Sequence, residues 1–258
     1  VASEPDFSQV RAVFFDLDDT LCAYWEAASI GLRATFGKHP LTGITTDQMV
    51  GHWAKAFRKF SKTIKTSHWY EGYLKSGEPT RVEQMRLTLE EAGHPDIELA
   101  EDLAQTYYEE RDKVLKLFPE AVSVIEKLHG RFPLGLITNG PADIQNQEID
   151  TLGIRHFFDH ILIEGEMREG KPLQAVFHRA EKLVNEPPAN ILFVGNSFNH
   201  DMRPAMAAGW KTAWIRRPSD VPPSAEGESS EPEAIPETGE LPNAIISALD
   251  EILPWLPN

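Results

Sequence analysis

The sequence predicts an α/β protein, a doubly wound parallel sheet with an inserted α-helical domain, on three observations. Residues 11–15, RAVFF, are β-rich and almost continuously apolar, as suits a strand covered on both faces. From Pro119 onward, short apolar runs alternate with helical segments of about ten residues, the pattern of right-handed βαβ crossovers. Residues 23–117 carry apolar positions at three- and four-residue spacing and read as mostly helical, interrupting that alternation directly after its first strand. The sheet domain is therefore expected to be discontinuous, residues 1–22 and 118–258, with residues 23–117 as the insertion.

Local chemistry places the elements. In the insertion, residues 27–36, 47–64, 80–92 and 98–115 read as helices. Turn signals part them: GKHP ending at Pro40, SGEP ending at Pro79 and GHP ending at Pro95. In the sheet domain, residues 120–129 read as a helix and residues 133–138, PLGLIT, as a short buried strand. Residues 141–152 form a helix begun by proline, whose fixed φ suits a first turn. Next come a strand at 160–164, a second proline-led helix at 172–183, a strand at 190–195, a helix at 201–208 and a strand at 211–215. Residues 218–242 are rich in Pro, Ser, Gly and Glu, too polar to bury and too proline-broken for a helix, and are expected to be a flexible loop. Residues 243–254 read as a short amphipathic helix that docks back on the sheet.

Composition sets bounds on partners. With 25 Lys and Arg against 40 Asp and Glu, the net charge of −15 repels nucleic-acid backbones, and no nucleic-acid partner is expected. No apolar run approaches the roughly 20 residues of a membrane span, so no membrane partner is expected either. The opening VASEPDF does not resemble a signal peptide and Cys22 is the single cysteine, which together point to a cytoplasmic setting.

Ligands of doubly wound sheets bind beyond the carboxyl ends of the strands. Four polar clusters fall at that edge: DLDDT at 16–20, TNGP at 138–141, Lys171 in EGKP, and NSFNHD at 196–201. Each alone is compatible with a turn, a helix cap or a surface lysine. All four in order at one edge indicate a site. Asp16, Asp18 and Asp19 also crowd like charges at the end of a buried strand, where carboxylates lose hydration.

These clusters resemble the four motifs of the haloacid dehalogenase (HAD) superfamily, whose members are mostly phosphatases. FDLDDTL at 15–21 is similar to the first motif and ITNG at 137–140 to the second. Lys171 in GKP is similar to the third, and VGNSFNHD at 194–201 to the fourth. The insertion resembles the family's first type of cap domain, and the sheet its Rossmann-like core.

The resemblance implies an aspartyl-phosphate mechanism. Asp16 is the implied nucleophile; Asp18 is the implied acid that protonates the leaving oxygen and then activates water. It implies Mg²⁺ as cofactor, because two carboxylates and a phosphate repel one another unless a hard cation neutralises them. The implied ligands are the Asp16 carboxylate, the Asp18 backbone carbonyl, and a side chain of the fourth motif, Asn196 or Asp201. Thr138 and the N–H groups of Asn139 and Gly140 are expected to hold phosphate oxygens, with Lys171 supplying positive charge to the phosphate and to Asp16. Asp19, one residue out of phase, is expected to bond local backbone.

The chain departs from the family pattern at Asn196, where members commonly carry an acid; an amide oxygen ligates Mg²⁺ without charge. The implied function is Mg²⁺-dependent hydrolysis of a small phosphorylated metabolite. TNGPADIQ at 138–145 is similar to the second motif of members acting on nucleoside monophosphates or sugar phosphates. The alternatives are a weakly active or inactive member that binds a ligand or partner, which Asn196 permits, and a haloacid dehalogenase, a chemistry that lacks an acid at the position of Asp18. Substrate contacts from the insertion are sought among Trp25, Trp53, Arg58, Lys62, His68, Trp69, Tyr70 and Arg111, with residues 68–73, HWYEGY, as a loop facing the cleft. Cys22 is expected to pack at the hinge between domains. His156 and His160 lead into a strand without the partners of a zinc site.

Overall fold

Residues 4–227 and 231–257 are described by the computed structural model. Strand β1 (Ala12–Phe15) is followed by five helices, α1 (Tyr24–Lys38), α2 (Thr46–Ile64), α3 (Trp69–Lys75), α4 (Glu78–Glu91) and α5 (Ile97–Asp112). The chain then runs through α6 (Ala121–Leu128), β2 (Leu134–Thr138), α7 (Ala142–Thr151), β3 (His160–Ile163), α8 (Glu164–Met167) and α9 (Gln174–Val184). It ends in β4 (Ile191–Gly195), α10 (Arg203–Ala207), β5 (Lys211–Ile215) and β6 (Ala244–Ile246). The six strands form one parallel sheet in the order β3-β2-β1-β4-β5-β6.

That order reverses between β1 and β4, the point at which such sheets open a crevice at their carboxyl ends. Phe15 is in register with Val194, so Asp16 and Asn196 leave the sheet as near neighbours.

Side-chain alternation explains why β1 is apolar throughout. Val13 and Phe15 enter a core with Val124 and Ile125 of α6 and with Ile252. Ala12 and Phe14 point to the opposite face, among Phe177, Phe193 and Trp210. Each fully buried large apolar side chain contributes about 1.5–3 kcal/mol, which makes the strand a rigid mount for the acidic turn at its end. The helices after β1 close a third core of their own around Leu32, Trp53, Met85 and Leu103. Their ends are specified locally. Thr45 and Gln48 form a reciprocal capping box at α2, and Asp96 accepts the Leu99 N–H at α5.

Several elements differ from the sequence expectation. Residues 243–254 are not an amphipathic helix: Ala244–Ile246 joins the sheet as a sixth strand and Leu249–Trp255 is a 3₁₀ helix. Ala244 and Ile246 face inward while Ile245 faces outward, a period-two pattern too short to stand out from helical spacing. Asn243 fixes the strand by exchanging hydrogen bonds with Thr212. Residues 68–73 are not a loop either. Most of them lie in α3, where Trp69 packs edge-on against Phe60 with ring centroids 5.9 Å apart. Helix α9 starts at Gln174 rather than at Pro172, and one wide turn at Phe198–Met202 precedes α10.

The described residues of 218–242 contain no helix or strand; residues 228–230 of that segment, like residues 1–3 of the opening VASEPDF, lie outside the described residues. No described helix is long and apolar enough to cross a membrane.

Candidate active site

Asp16 stands one residue past β1 and is still pinned to the sheet, its N–H donating to Val194 O at 2.9 Å. The chain then turns tightly, with Leu17 O accepting the N–H groups of Thr20, Leu21 and Cys22. Asp19 takes the left-handed conformation, φ 57°, and its Oδ1 accepts the Trp25 N–H at 3.1 Å at the start of α1. Cys22 is buried in the core beneath this turn.

Three charged side chains meet beyond β1. Lys171 Nζ lies 2.5 Å from Asp16 Oδ1 and 2.7 Å from Asp201 Oδ1. Asp16 Oδ2 accepts from Thr20 Oγ at 3.0 Å, and Asp201 Oδ2 accepts the Ser197 N–H at 2.9 Å. Asp16, Lys171 and Asp201 are 6%, 3% and 1% exposed, so their charges act on each other with little screening by water. Burial pushes the Asp16 carboxyl up to about 6, against the pull of Lys171. Burial alone would lower the Lys171 ammonium, but Asp16 and Asp201 more than reverse this and hold it charged. The Lys171 backbone is clamped by Asn139, whose Oδ1 accepts its N–H and whose Nδ2 donates to its carbonyl, both at 2.8 Å. Gly195 permits the close approach of Asp201: an added Cβ would stand 2.5 Å from Asp201 Oδ2.

Asp18 faces the same cavity. Its Oδ2 accepts from Gln145 Nε2 at 3.3 Å; burial, and then the Asp16 charge, push its carboxyl up to about 7. A carboxyl held near neutrality can both give and take a proton. Gln145 also donates to Glu148 Oε2 at 2.9 Å and accepts from the Thr138 hydroxyl. Fully buried Glu148 lies 2.9 Å from Arg111 of α5, which ties the helical segment to α7 beside Asp18.

Gly140 is held at φ 141°, a conformation favouring glycine, with Gln145 Cγ 3.0 Å from where a Cβ would stand. Its N–H was expected to face a phosphate; here it donates to Glu164 Oε2 at 3.2 Å, because the Gly165 N–H bonds Gly140 O and draws the two loops together. Glu164 also accepts from Tyr70 Oη at 3.0 Å and pairs with Lys65 Nζ at 2.7 Å, a second tie to the helical segment.

Asn196 is oriented from behind. Its Nδ2 donates to Asp220 Oδ2 at 3.0 Å, its carbonyl accepts from Trp214 Nε1 at 2.7 Å, and its Oδ1 lies 3.5 Å from Thr20 Oγ. Asn196 Oδ1 and Asp16 Oδ2 thus converge on one hydroxyl. Glu233 fixes the same loop, accepting the Phe198 N–H at 2.7 Å.

A cavity of about 500 Å³ lies between this edge and the helices. Asp16, Asp18, Thr138, Asn139, Gly140, Lys171, Asn196 and Asp201 all border it, so the folding brings together every residue singled out from the motifs. Of the candidates in the insertion, Trp25, Trp53 and Arg111 border it, and Arg58, Lys62, His68, Trp69 and Tyr70 do not. Sequence reasoning missed Arg81, Gln145, Glu148, Glu164 and Asp220. Gln145 and Glu148 carry a local signal, one turn apart on a helix opening at the edge; the others carry none, since their partners are distant in the chain.

Residues 10–209 match the family model of haloacid dehalogenase-like hydrolases. The N-acylneuraminate-9-phosphatase of Rattus norvegicus is 27% identical over 227 residues, 83% of this chain and 86% of that protein. The glyceraldehyde 3-phosphate phosphatase of Methanopyrus kandleri is 28% identical over 210 residues, 81% of this chain and 84% of that one. The solved HAD-hydrolase YfnB from Bacillus subtilis, bound to magnesium, is similar with a TM-score of 0.70 at 21% identity, covering 96% of this chain and 98% of its own.

Proposed function

The chain belongs to the haloacid dehalogenase-like hydrolases, and we propose that it is a Mg²⁺-dependent phosphatase that hydrolyses a small phosphomonoester of the sugar phosphate or nucleotide class. The observation that carries this reading is the Lys171 ammonium between Asp16 and Asp201, with Asp18 beside them on one cavity. The rat and Methanopyrus relatives are phosphatases, which supports the same chemistry. Residues 23–117 act as the cap over residues 1–22 and 118–258; the separate core of the helices supports that division.

An Asp16 oxygen attacks phosphorus, and the bond to the leaving oxygen breaks as Asp18 transfers its proton there. Asp18, now a carboxylate, takes a proton from water. The water oxygen attacks phosphorus, and the bond to Asp16 breaks to release phosphate. Lys171 offsets the charge on the phosphate oxygens, and Asp201 and Asn139 hold Lys171 in place; the Thr138 hydroxyl, expected to hold phosphate, donates instead to Gln145.

The donor set fits a hard dication. Asp16 Oδ2 and Asn196 Oδ1 converge near Thr20, and Asp220 turns the Asn196 amide nitrogen away from them. Asp16, the Asp18 carbonyl and Asn196 would hold Mg²⁺. Asp201 Oδ1 lies 2.7 Å from Lys171 Nζ and Oδ2 accepts the Ser197 N–H, which supports a role in orienting Lys171 over one in holding the ion. When bound, the ion offsets the negative charge shared by Asp16 and phosphate.

The reading is tested with 4-nitrophenyl phosphate. Turnover is expected with Mg²⁺ and is lost on chelation. Asp18→Asn is expected to release about one nitrophenolate per chain and then stall, because this leaving group needs little proton donation whereas the second step still lacks its base. If neither this ester nor a panel of phosphorylated metabolites is turned over with metal, the ligand-binding alternative replaces the proposal.

Asn196 yields a separate expectation. Asn196→Asp alone places two carboxylates where a 3.0 Å hydrogen bond now stands, so repulsion from Asp220 offsets the gain in metal charge pairing. The exchange Asn196→Asp with Asp220→Asn keeps the hydrogen bond and moves the charge forward. It is expected to bind Mg²⁺ on the order of tenfold more tightly than the single variant, read by calorimetry.

A further inference from the structure

The helical half of the cavity holds unpaired hydrogen-bonding groups. Trp53 Nε1, Arg81 Nε, Gln84 Oε1 and Arg111 Nε are buried, border the cavity and have no hydrogen-bond partner among the described residues. Trp53 and Arg111 are 3% exposed and Gln84 is 7% exposed. Buried polar atoms are ordinarily satisfied, and four exceptions around one cavity call for a ligand that supplies their partners. Three of the four are donors, so the ligand is rich in acceptors; Gln84 Oε1 asks for one hydroxyl or N–H.

The charges narrow the class. Arg111 is answered by Glu148 at 2.9 Å and Asp112 at 3.0 Å. Arg81 forms no ion pair among the described residues. Its guanidinium lies 4.6 Å from the Tyr108 ring centroid, and burial together with the neighbouring Arg111 charge pushes its pKa down. A half-buried cation facing another cation is stabilised by an anion on the ligand. The rest of this wall is apolar: Trp53 stacks on Phe57 at 4.9 Å and 8°, and Trp25 meets Phe57 edge-on at 5.6 Å.

We propose that the cavity selects phosphomonoesters whose leaving group carries a carboxylate, paired by Arg81, on a skeleton that bonds Trp53 Nε1 and Gln84 Oε1. This rests on the phosphatase reading and narrows its substrate to organic-acid and acidic-sugar phosphates. A nucleobase would stack on the aromatic wall and meet some of the donors, but it would leave the Arg81 charge unanswered.

A matched pair of esters tests the assignment. 6-Phosphogluconate and sorbitol 6-phosphate share one carbon chain and differ in a carboxylate against a hydroxymethyl group. Their affinities are measured by calorimetry on the Asp16→Asn variant, which prevents turnover, with uridine monophosphate as the neutral-base probe. The acid is expected to bind about 30-fold more tightly than the polyol ester, as one buried charge-assisted pair provides. Adding Arg81→Gln brings that ratio below about threefold, and Arg81→Lys leaves it between the two. Equal affinities, a ratio that survives Arg81→Gln, tighter binding of uridine monophosphate, or no binding of either ester overturns the proposal. Failure of the phosphatase reading shows separately, as absent turnover of every ester by the unmodified chain whatever the binding ratio.

Discussion

Asp16→Asn is expected to lower turnover by at least about 10⁴-fold while the chain stays folded. The amide matches the carboxyl in shape and can still accept from Thr20 Oγ, but it cannot form an acyl phosphate. Lys171 loses one of its two carboxylates and keeps Asp201 at 2.7 Å. Stability responds in the opposite sense to activity. Burial raises the folded pKa of Asp16 from 3.8 to about 6, so its contribution is present at low pH and is lost as pH rises through about 6. The variant carries no such loss. Its metal-free thermal midpoint at pH 7 is therefore expected to equal or exceed that of the parent chain, and the comparison shifts toward the parent near pH 4. Residual turnover above about one part in a hundred would remove Asp16 as the nucleophile.

Lys171→Met is expected to damage both properties. It leaves Asp16 and Asp201, 6% and 1% exposed, without the cation between them. Breaking a buried ion pair from one side costs about 3–5 kcal/mol, and here two carboxylates lose the same partner. Without the pull of Lys171, Asp16 then takes up a proton more readily. A carboxyl with a raised folded pKa stabilises the fold at low pH and ceases to do so as pH rises. The deficit against the parent chain is therefore expected to be largest at pH 7.5 and to shrink at pH 5, in urea titrations without metal. An equal deficit at both values would mean that the side chain contributes packing alone. Turnover is expected to fall by about 10³-fold, the scale of removing one fixed charge from a transition state.

Both expectations rest on residues legible in the sequence. The continuous apolarity of β1 follows from cover on two faces, and β1 together with the helix–strand alternation from Pro119 placed four polar clusters at one sheet edge. Resemblance to the family's four motifs then singled out Asp16, Asp18, Lys171 and the loop from Asn196. Short or mixed signals failed. Ala244–Ile246 is three residues long and its alternation passed for helical spacing, and α3 spans seven residues, too few for a period to register.

Sequence by itself thus determined the α/β class, the helical insertion and the residues at the carboxyl edge, because strand and helix periodicity and the loops after strands are local properties. Tertiary structure alone decided what those residues touch. Asp220 reaches Asn196 across 24 positions and Tyr70 reaches Glu164 across 94, and the Gly140 N–H is committed to Glu164. Whether Arg81 has an ionic partner is likewise settled where α4 and α5 close over the sheet. Hydrogen bonds and ion pairs form wherever folding brings donors and acceptors within about 3 Å, and no periodicity along the chain records that distance.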